Sequence, residues 1–385
     1  MTKFASIPLA PADPILGLTQ AFLQDPREEK INLGVGLFKD AHLKTPVFAP
    51  VKEAEKRLLS IETTKEYLPI SGDPAYLEAV GKLVFGKKLW EQHKPRIAAF
   101  QTPGGSGALR IGATFLKEEI KSSVWISNPS WPNHRGIFLS AGLHVESYPY
   151  YDIQNHKLLF QEVIGTLNTL PELSTVVLHA CCHNPTGTDL SHKQWQEVQN
   201  ICQKRHLLPF FDFAYQGLGK GIEEDAYAVR SHLETGEEML VAVSHSKNLG
   251  LYSERVGTLF IVCQNGEDKE RVASRVKQMI RTNYSNPPSH GAKVAAIVLN
   301  DLYSPFEKEL SHMRERITSM RHLLVPQFPH LKECQGLFAF LGLHEEQVHI
   351  LIKKHAIYMP SDGRINVCGL TPQNVQRVIE AVKTL

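Results

Sequence analysis

Residues 175–213 read TVVLHACCHNPTGTDLSHKQWQEVQNICQKRHLLPFFDF. The runs TVVLH (175–179) and PFFDF (209–213) are short, β-branched or aromatic, and end at turn-forming residues, as buried strands do. Between them, 191–205 is a longer amphipathic stretch that reads as a helix. A strand, a helix and a strand in that order make the repeating unit of a parallel sheet. Working outward, the same grammar continues on both sides. RIAAFQ (96–101) and SVWIS (123–127) precede the unit, and LVAVSH (240–245) and TLFIVC (258–263) follow it, with a helix-like segment at 107–120. The order predicts an α/β fold over roughly residues 95–265, a mostly parallel, doubly wound sheet covered by helices.

Beyond residue 265 the pattern turns helical, over 268–281, 290–300 and about 305–325. It then returns to strand-like pieces at 336–341 and 364–368. The expected division is a large domain, residues 46–314, and a smaller α+β unit built from both chain ends, 1–45 and 315–385. The 385 residues agree with two or three units at roughly 150 residues per domain.

Composition excludes several classes. Lys and Arg total 42 against 40 acidic residues, for a net charge of +2. So even a balance argues against a general nucleic-acid binder. No uncharged apolar stretch approaches the roughly 18–20 residues that span a bilayer. Pro and Asp break up the N-terminal run MTKFASIPLAPADPILGL, against a secretory signal. The six cysteines form no C-x-x-C pair, and Cys181 and Cys182 are adjacent, which suits reduced, buried thiols and a cytoplasmic protein. His344 and His349 lack the i, i+4 spacing of a helical zinc pair, so no metal is expected. The charged run MRERITSMR (313–321) reads as a solvated helix face.

In an open α/β sheet, ligands bind outside the carboxyl ends of the strands, and polar clusters fall at such ends here. TPGGSGALR (102–110) follows a strand and opens a helix, so Gly105, Ser106 and Gly107 offer N–H groups and a hydroxyl to a phosphate. Alternatively it is a plain Gly-rich turn with a serine cap. In SHSKNLGLYSERVG (244–257), Lys247 leaves a strand end among Ser244, Ser246 and Arg255. A desolvated lysine has a lowered pKa and forms a Schiff base with a carbonyl; the plainer reading is a surface lysine. Asp212, in the apolar strand of PFFDFAYQG (209–217), needs a cationic or hydrogen-bonding partner. A protonated pyridine nitrogen is one, a structural arginine another, and Tyr215 is near enough to reach the same ring. Asn184 in CCHNPTG (181–187) suits a fixed amide donor or an ordinary turn. Trp131 in NPSWPNH (128–134) can stack on a flat ring. Together these residues form the set that pyridoxal 5'-phosphate (PLP) requires: a carbonyl-capturing lysine, a pyridinium partner, a phosphate cradle, a phenol and a stacking aromatic.

With NLGVG (32–36), SDGRINV (361–367) and RTNYSNPPSHGA (281–292) added, the chain resembles, over nearly its whole length, the class I, fold type I aspartate and aromatic aminotransferases. The resemblance implies that Lys247 bonds to the cofactor's aldehyde, Asp212 pairs with the ring nitrogen, and Asn184 and Tyr215 bind the ring oxygen. Gly105, Ser106, Ser244, Ser246 and Arg255 would hold the phosphate, with Tyr67 reaching it from a neighbouring subunit of a homodimer. Trp131 would stack over the ring. Arg364 would grip the substrate α-carboxylate beside Gly36, and Arg281 of the other subunit a side-chain carboxylate.

The implied activity is ping-pong transamination between aspartate and 2-oxoglutarate, with side activity on aromatic amino acids; the alternative is an aromatic (tyrosine/phenylalanine) aminotransferase. Leu37 and Ser106 resemble the aromatic branch, Lys39, Thr45 and Asn286 the aspartate branch, and Glu66 neither. A PLP-dependent lyase or a non-catalytic binder shares some of these residues. However, paired arginines favour transamination, and a degenerate binder should have lost Lys247 or Asp212. The chain departs from the family at His245 (usually aromatic), Leu249 (usually Phe), Asp362 (usually small) and in a shortened segment at 328–336.

Overall fold

The computed structural model describes residues 2–9 and 14–385; residues 1 and 10–13 of the expected chain-end unit lie outside the described residues. In chain order the strands are β1 (Ile31–Asn32), β2 (Ile97–Pro103), β3 (Val124–Asn128), β4 (Val145–Pro149), β5 (Tyr151–Asp152), β6 (Lys157–Leu158) and β7 (Thr175–His179). They continue as β8 (Leu208–Phe213), β9 (Met239–Ser244), β10 (Val256–Val262), β11 (Phe338–Phe340), β12 (Ile357–Tyr358) and β13 (Arg364–Asn366).

Seven of them form one sheet in the order β2-β10-β9-β8-β7-β3-β4. Every adjacent pair is parallel except those of β10, which runs antiparallel to β2 and β9. Alternation along the strands feeds two separate cores. Val176, Leu178, Phe211, Phe213, Val241 and Val243 face one, and Val177, Phe210, Leu240 and Ala242 face the other. A sheet buried on both faces needs apolar residues at every position, which is why these strands read as continuous apolar runs.

Helices close both faces. His192–Lys204 starts at Ser191, whose hydroxyl accepts from Gln194 N–H while the Gln194 side chain returns to Ser191 N–H, a reciprocal cap that fixes its first turn. Gly104–Phe115 begins three residues earlier than the sequence pattern predicts, directly at the end of β2, and continues as a π turn, Leu116–Ile120. β4 is a strand that apolar runs alone do not reveal. It pairs with β3 at the sheet edge, and VESYP buries only Val145 and Tyr148, too few to read as an apolar run.

The two ends of the chain meet beside this sheet. β1 pairs in parallel with β12, and β11 pairs antiparallel with β13. Asn366 Nδ2 donates to the carbonyls of Val35 and Leu37 at 2.5 and 2.7 Å, tying residues 35–37 to β13. The helix Tyr303–His322 joins the layers: its Arg316 donates to the carbonyls of Lys39 and Leu370. Among the described residues, no helix is long and apolar enough to cross a membrane.

Candidate active site

At the carboxyl ends of β7, β8 and β9 lies a cleft of about 260 Å³ lined by Gly36, Gly105, Ser106, Trp131, Asn184, Asp212, Tyr215, Ser244, Ser246, Lys247, Arg255 and Arg364. The parallel topology gathers them: strand ends 179, 213 and 244 lie side by side, so the loops that follow converge.

Lys247 sits three residues past β9 with its ammonium 5.0 Å from the Tyr215 ring centroid. Burial lowers its pKa, and Arg255 lowers it further, against the opposing pull of Asp212. A lysine in that condition gives up its proton more readily than a solvated one, and a free amine can act as nucleophile or base.

Asp212, at the penultimate position of β8, accepts from His134 Nε2 at 3.0 Å. Burial alone would raise its pKa. The hydrogen bond from His134, with Lys247 nearby, outweighs that and holds the carboxyl below its ordinary value. A chain of contacts supports it. Ser130 Oγ meets His134 Nδ1 at 2.9 Å, and His179 Nδ1 accepts from Asn184 N–H at 2.9 Å. Burial pushes His179 down to about 3, so the ring is neutral at physiological pH.

At the other end of the cleft, Arg255 Nη1 donates to Ser246 Oγ (3.2 Å) and to the Tyr252 carbonyl (3.0 Å), and Ser244 Oγ donates to Ser246 Oγ (3.2 Å). The start of helix Gly104–Phe115 faces this cluster. A Cβ on Gly105 would stand 3.0 Å from Ser244 Cβ, and one on Gly257 would stand 2.4 Å from the Gly104 carbonyl carbon. Backbone, hydroxyls and guanidinium thus close around a space sized and charged for a phosphate.

Arg364, only 3 % exposed, lies over the Phe338 ring at 4.4 Å and donates from Nη1 to Asn184 Oδ1 at 3.2 Å. Asn184 Nδ2 in turn donates to the Tyr215 hydroxyl at 3.4 Å. The Arg364 Nε is buried without a partner, and an unsatisfied, buried guanidinium nitrogen is costly unless a ligand anion meets it. Asp362 is exposed and accepts from the Arg364 backbone N–H at 3.0 Å. Its charge opposes the pKa lowering that burial imposes on the guanidinium.

The cleft also holds residues that motif reading passes over: Leu109, Ala214, Tyr252 and Phe338. Tyr252 fixes the approach of the chain start by accepting from Phe38 N–H at 2.8 Å. His134 lies within NPSWPNH, but only the tertiary fold aims it at Asp212. Tyr67 and Arg281 are not among the residues lining this cleft. Tyr67 is 91 % exposed, and Arg281 is exposed with its guanidinium on the Ser285 hydroxyl. His245 is buried, with Nδ1 3.1 Å from Asn248 Oδ1 and its ring edge against Tyr76. Burial brings it to about 4, so it is a neutral spacer at physiological pH. Leu249 is a core residue.

The family model for aminotransferase class I and II matches residues 28–382. An aspartate aminotransferase of Escherichia coli K12 is 46% identical over 98% of this chain and 99% of its own length. An aromatic-amino-acid aminotransferase of Pseudomonas aeruginosa is 42% identical over 99% and 98%. The crystal structure of an aromatic-amino-acid aminotransferase from Burkholderia pseudomallei, covalently bound to pyridoxal phosphate, superposes with a TM-score of 0.96. It is 42% identical, covering 100% of this chain and 99% of that one. The chain belongs to the class I and II aminotransferases and is an α/β enzyme of fold type I. Its cofactor is pyridoxal phosphate, and the donor set described above fits that molecule at each of its polar groups.

Proposed function

We propose that this enzyme transfers the amino group between aspartate and 2-oxoglutarate, giving oxaloacetate and glutamate by a ping-pong mechanism, with side activity on aromatic amino acids. The observation that supports an amino-acid substrate is Arg364, a buried guanidinium lining the cleft with its Nε free for an α-carboxylate, while the dicarboxylate reading rests on Arg281. The planar fork of a guanidinium suits a carboxylate better than a lysine would.

When bound, pyridoxal phosphate supplies the carbonyl that captures an amino group and the ring that accepts electrons released at Cα. Gly105, Ser106, Ser244, Ser246 and Arg255 hold the phosphate. Asn184 and Tyr215 bind the ring oxygen, and Trp131 covers the ring face. Asp212 holds the proton on the ring nitrogen. Lys247 would bond to the cofactor's aldehyde and, as a free amine, would take up and return the substrate Cα proton as general base and acid. Arg364 binds the α-carboxylate beside Gly36. Replacing Asp212 by Asn keeps the shape but removes the charge. We expect kcat to fall on the order of 10²–10³-fold, with substrate KM altered little, as for an interaction made mainly in the transition state. Equal losses in KM and kcat would count against the assignment.

The wider reading is a cytoplasmic homodimer of two-domain subunits, 46–314 and 1–45 with 315–385, in which Tyr67 and Arg281 serve the neighbouring site. The pairing of β1 with β12 supports the division, and six free, buried cysteines support a reducing compartment. The exposure of Tyr67 and Arg281 supports their role across an interface.

An aromatic preference is the second reading, and apolar Leu109 and Phe338 in the cleft favour it. Steady-state rates decide between them. Aspartate should give the higher kcat/KM, with tyrosine and phenylalanine turned over measurably; a kcat/KM for tyrosine far above that for aspartate reverses the assignment.

A further inference from the structure

The shortened segment at 328–336 carries a contact that the transamination chemistry does not use. His330, in the 3-10 turn Pro329–Glu333, lies face to face with His156 in the β5–β6 turn, with ring centroids 3.6 Å apart and planes within 2°. His330 Nε2 donates to the Phe340 carbonyl at 2.9 Å. The His156 ring edge rests on Gly342, where an added Cβ would stand 2.5 Å from His156 Cε1.

Both histidines therefore brace the same few residues, Phe340–Gly342. That stretch is the strand end that holds Arg364. Phe340 pairs with Arg364 in the β11–β13 register, Leu341 N–H donates to the Gly363 carbonyl, and Phe338 of the same strand underlies the guanidinium. β11 has only three residues and pairs with β13 alone, so outside bracing matters more for it than for a strand inside a wide sheet.

We infer that His330, with His156 stacked on it, is a positioning residue for Arg364: the pair fixes the end of β11 and thereby the guanidinium that receives the substrate carboxylate. The inference rests on reading Arg364 as the carboxylate site. Two neutral rings stack favourably, whereas a proton on each sets like charges face to face. Burial lowers the pKa of both histidines. His330 lowers that of His156 further, and Asp152, on β5, opposes it. The Asp152 carboxylate is itself engaged by the backbone of Gln154 and by Asn155. On His330, the Phe340 carbonyl is the group that opposes the lowering, and the Phe328 ring packs edge-on. The neutral pair is thus kept at neutral pH, and acid below the ordinary histidine range loosens the brace.

The test uses the PLP-loaded enzyme with His330→Leu, His330→Gln, His156→Phe and Arg364→Lys. Readouts are KM for 2-oxoglutarate, the dissociation constant of succinate as an unreactive dicarboxylate, and Tm. His330→Leu should raise both constants together on the order of tenfold, with kcat within about twofold. His330→Gln, which keeps a donor near the Phe340 carbonyl, should recover most of the loss. In wild type both constants should rise only as pH falls below the ordinary histidine value of about 6.5, and His156→Phe, which stacks but cannot titrate, should flatten that rise. A folded His330→Leu enzyme with unchanged constants overturns the inference, as do equal losses in the Leu and Gln variants. If His330→Leu does not fold, the Gln variant and the pH profile of His156→Phe decide alone. Normal succinate binding by Arg364→Lys would instead strike the carboxylate-site reading itself.

Discussion

Lys247→Ala is expected to lower kcat on the order of 10⁴-fold while leaving the fold and the affinity for the PLP phosphate largely in place. Two losses coincide in that one substitution. On the proposed reading, the amine that would bond to the cofactor carbonyl disappears, and so does the base that would move the Cα proton; general acid–base catalysis alone contributes up to about 10⁴-fold. The rest of the site does not depend on Lys247. Arg255, Ser246 and Ser244 are hydrogen-bonded to one another, and Asp212 is held by His134. The variant should therefore still retain cofactor through gel filtration, but without the visible absorbance of the lysine-linked form. Both half-reactions, followed by rapid mixing with aspartate and with 2-oxoglutarate, should be slowed alike, because the same amine serves in each direction. A variant that keeps the absorbance band or more than about a hundredth of wild-type kcat would place the proton transfer elsewhere.

Much of this site is legible in the amino-acid sequence because its residues obey a topological rule. Asn184, Asp212, Ser244 and Lys247 each lie at or just past the carboxyl end of an apolar run, and parallel pairing of β7, β8 and β9 brings those ends together. Apolar runs reveal a strand only where both its faces are buried. VESYP, at the sheet edge, buries only Val145 and Tyr148 and so reads as loop. Strand direction leaves no trace in such runs either, which is why the antiparallel course of β10 emerges only from the register. His134 shows the same limit at the level of chemistry. Nothing local distinguishes it from any helix-start histidine; what gives it a role is a carboxylate 78 positions away in sequence. The histidine brace at the end of β11 is of this kind too, since His156 and His330 are far apart in the chain and meet only in the folded molecule.

The substitution that separates the two substrate classes is Arg281→Ala. On the proposed reading, an aromatic amino acid offers one carboxylate, for Arg364 alone; aspartate and 2-oxoglutarate offer two. Removing one partner of a desolvated, hydrogen-bonded charge pair costs about 2–5 kcal/mol, so kcat/KM for aspartate should fall on the order of 10²–10³-fold. That for phenylalanine should change by no more than a few-fold. Arg281 is exposed at the end of the helix Gly266–Asn283 and does not line the cleft of its own chain, so an effect of this size requires it to act in a neighbouring subunit. Mixing tests that directly. An Arg281→Ala chain still supplies Lys247, and a Lys247→Ala chain still supplies Arg281. If the enzyme is the proposed homodimer, about half the dimers refolded together are hybrids, each with one complete site, and the mixture should recover about a quarter of wild-type aspartate activity. The same mixture assayed with phenylalanine should gain nothing from pairing, because the Arg281→Ala chain is already competent there. If aspartate activity fails to return although the hybrid forms, Arg281 does not act across the interface. Dicarboxylate recognition must then come from within one chain.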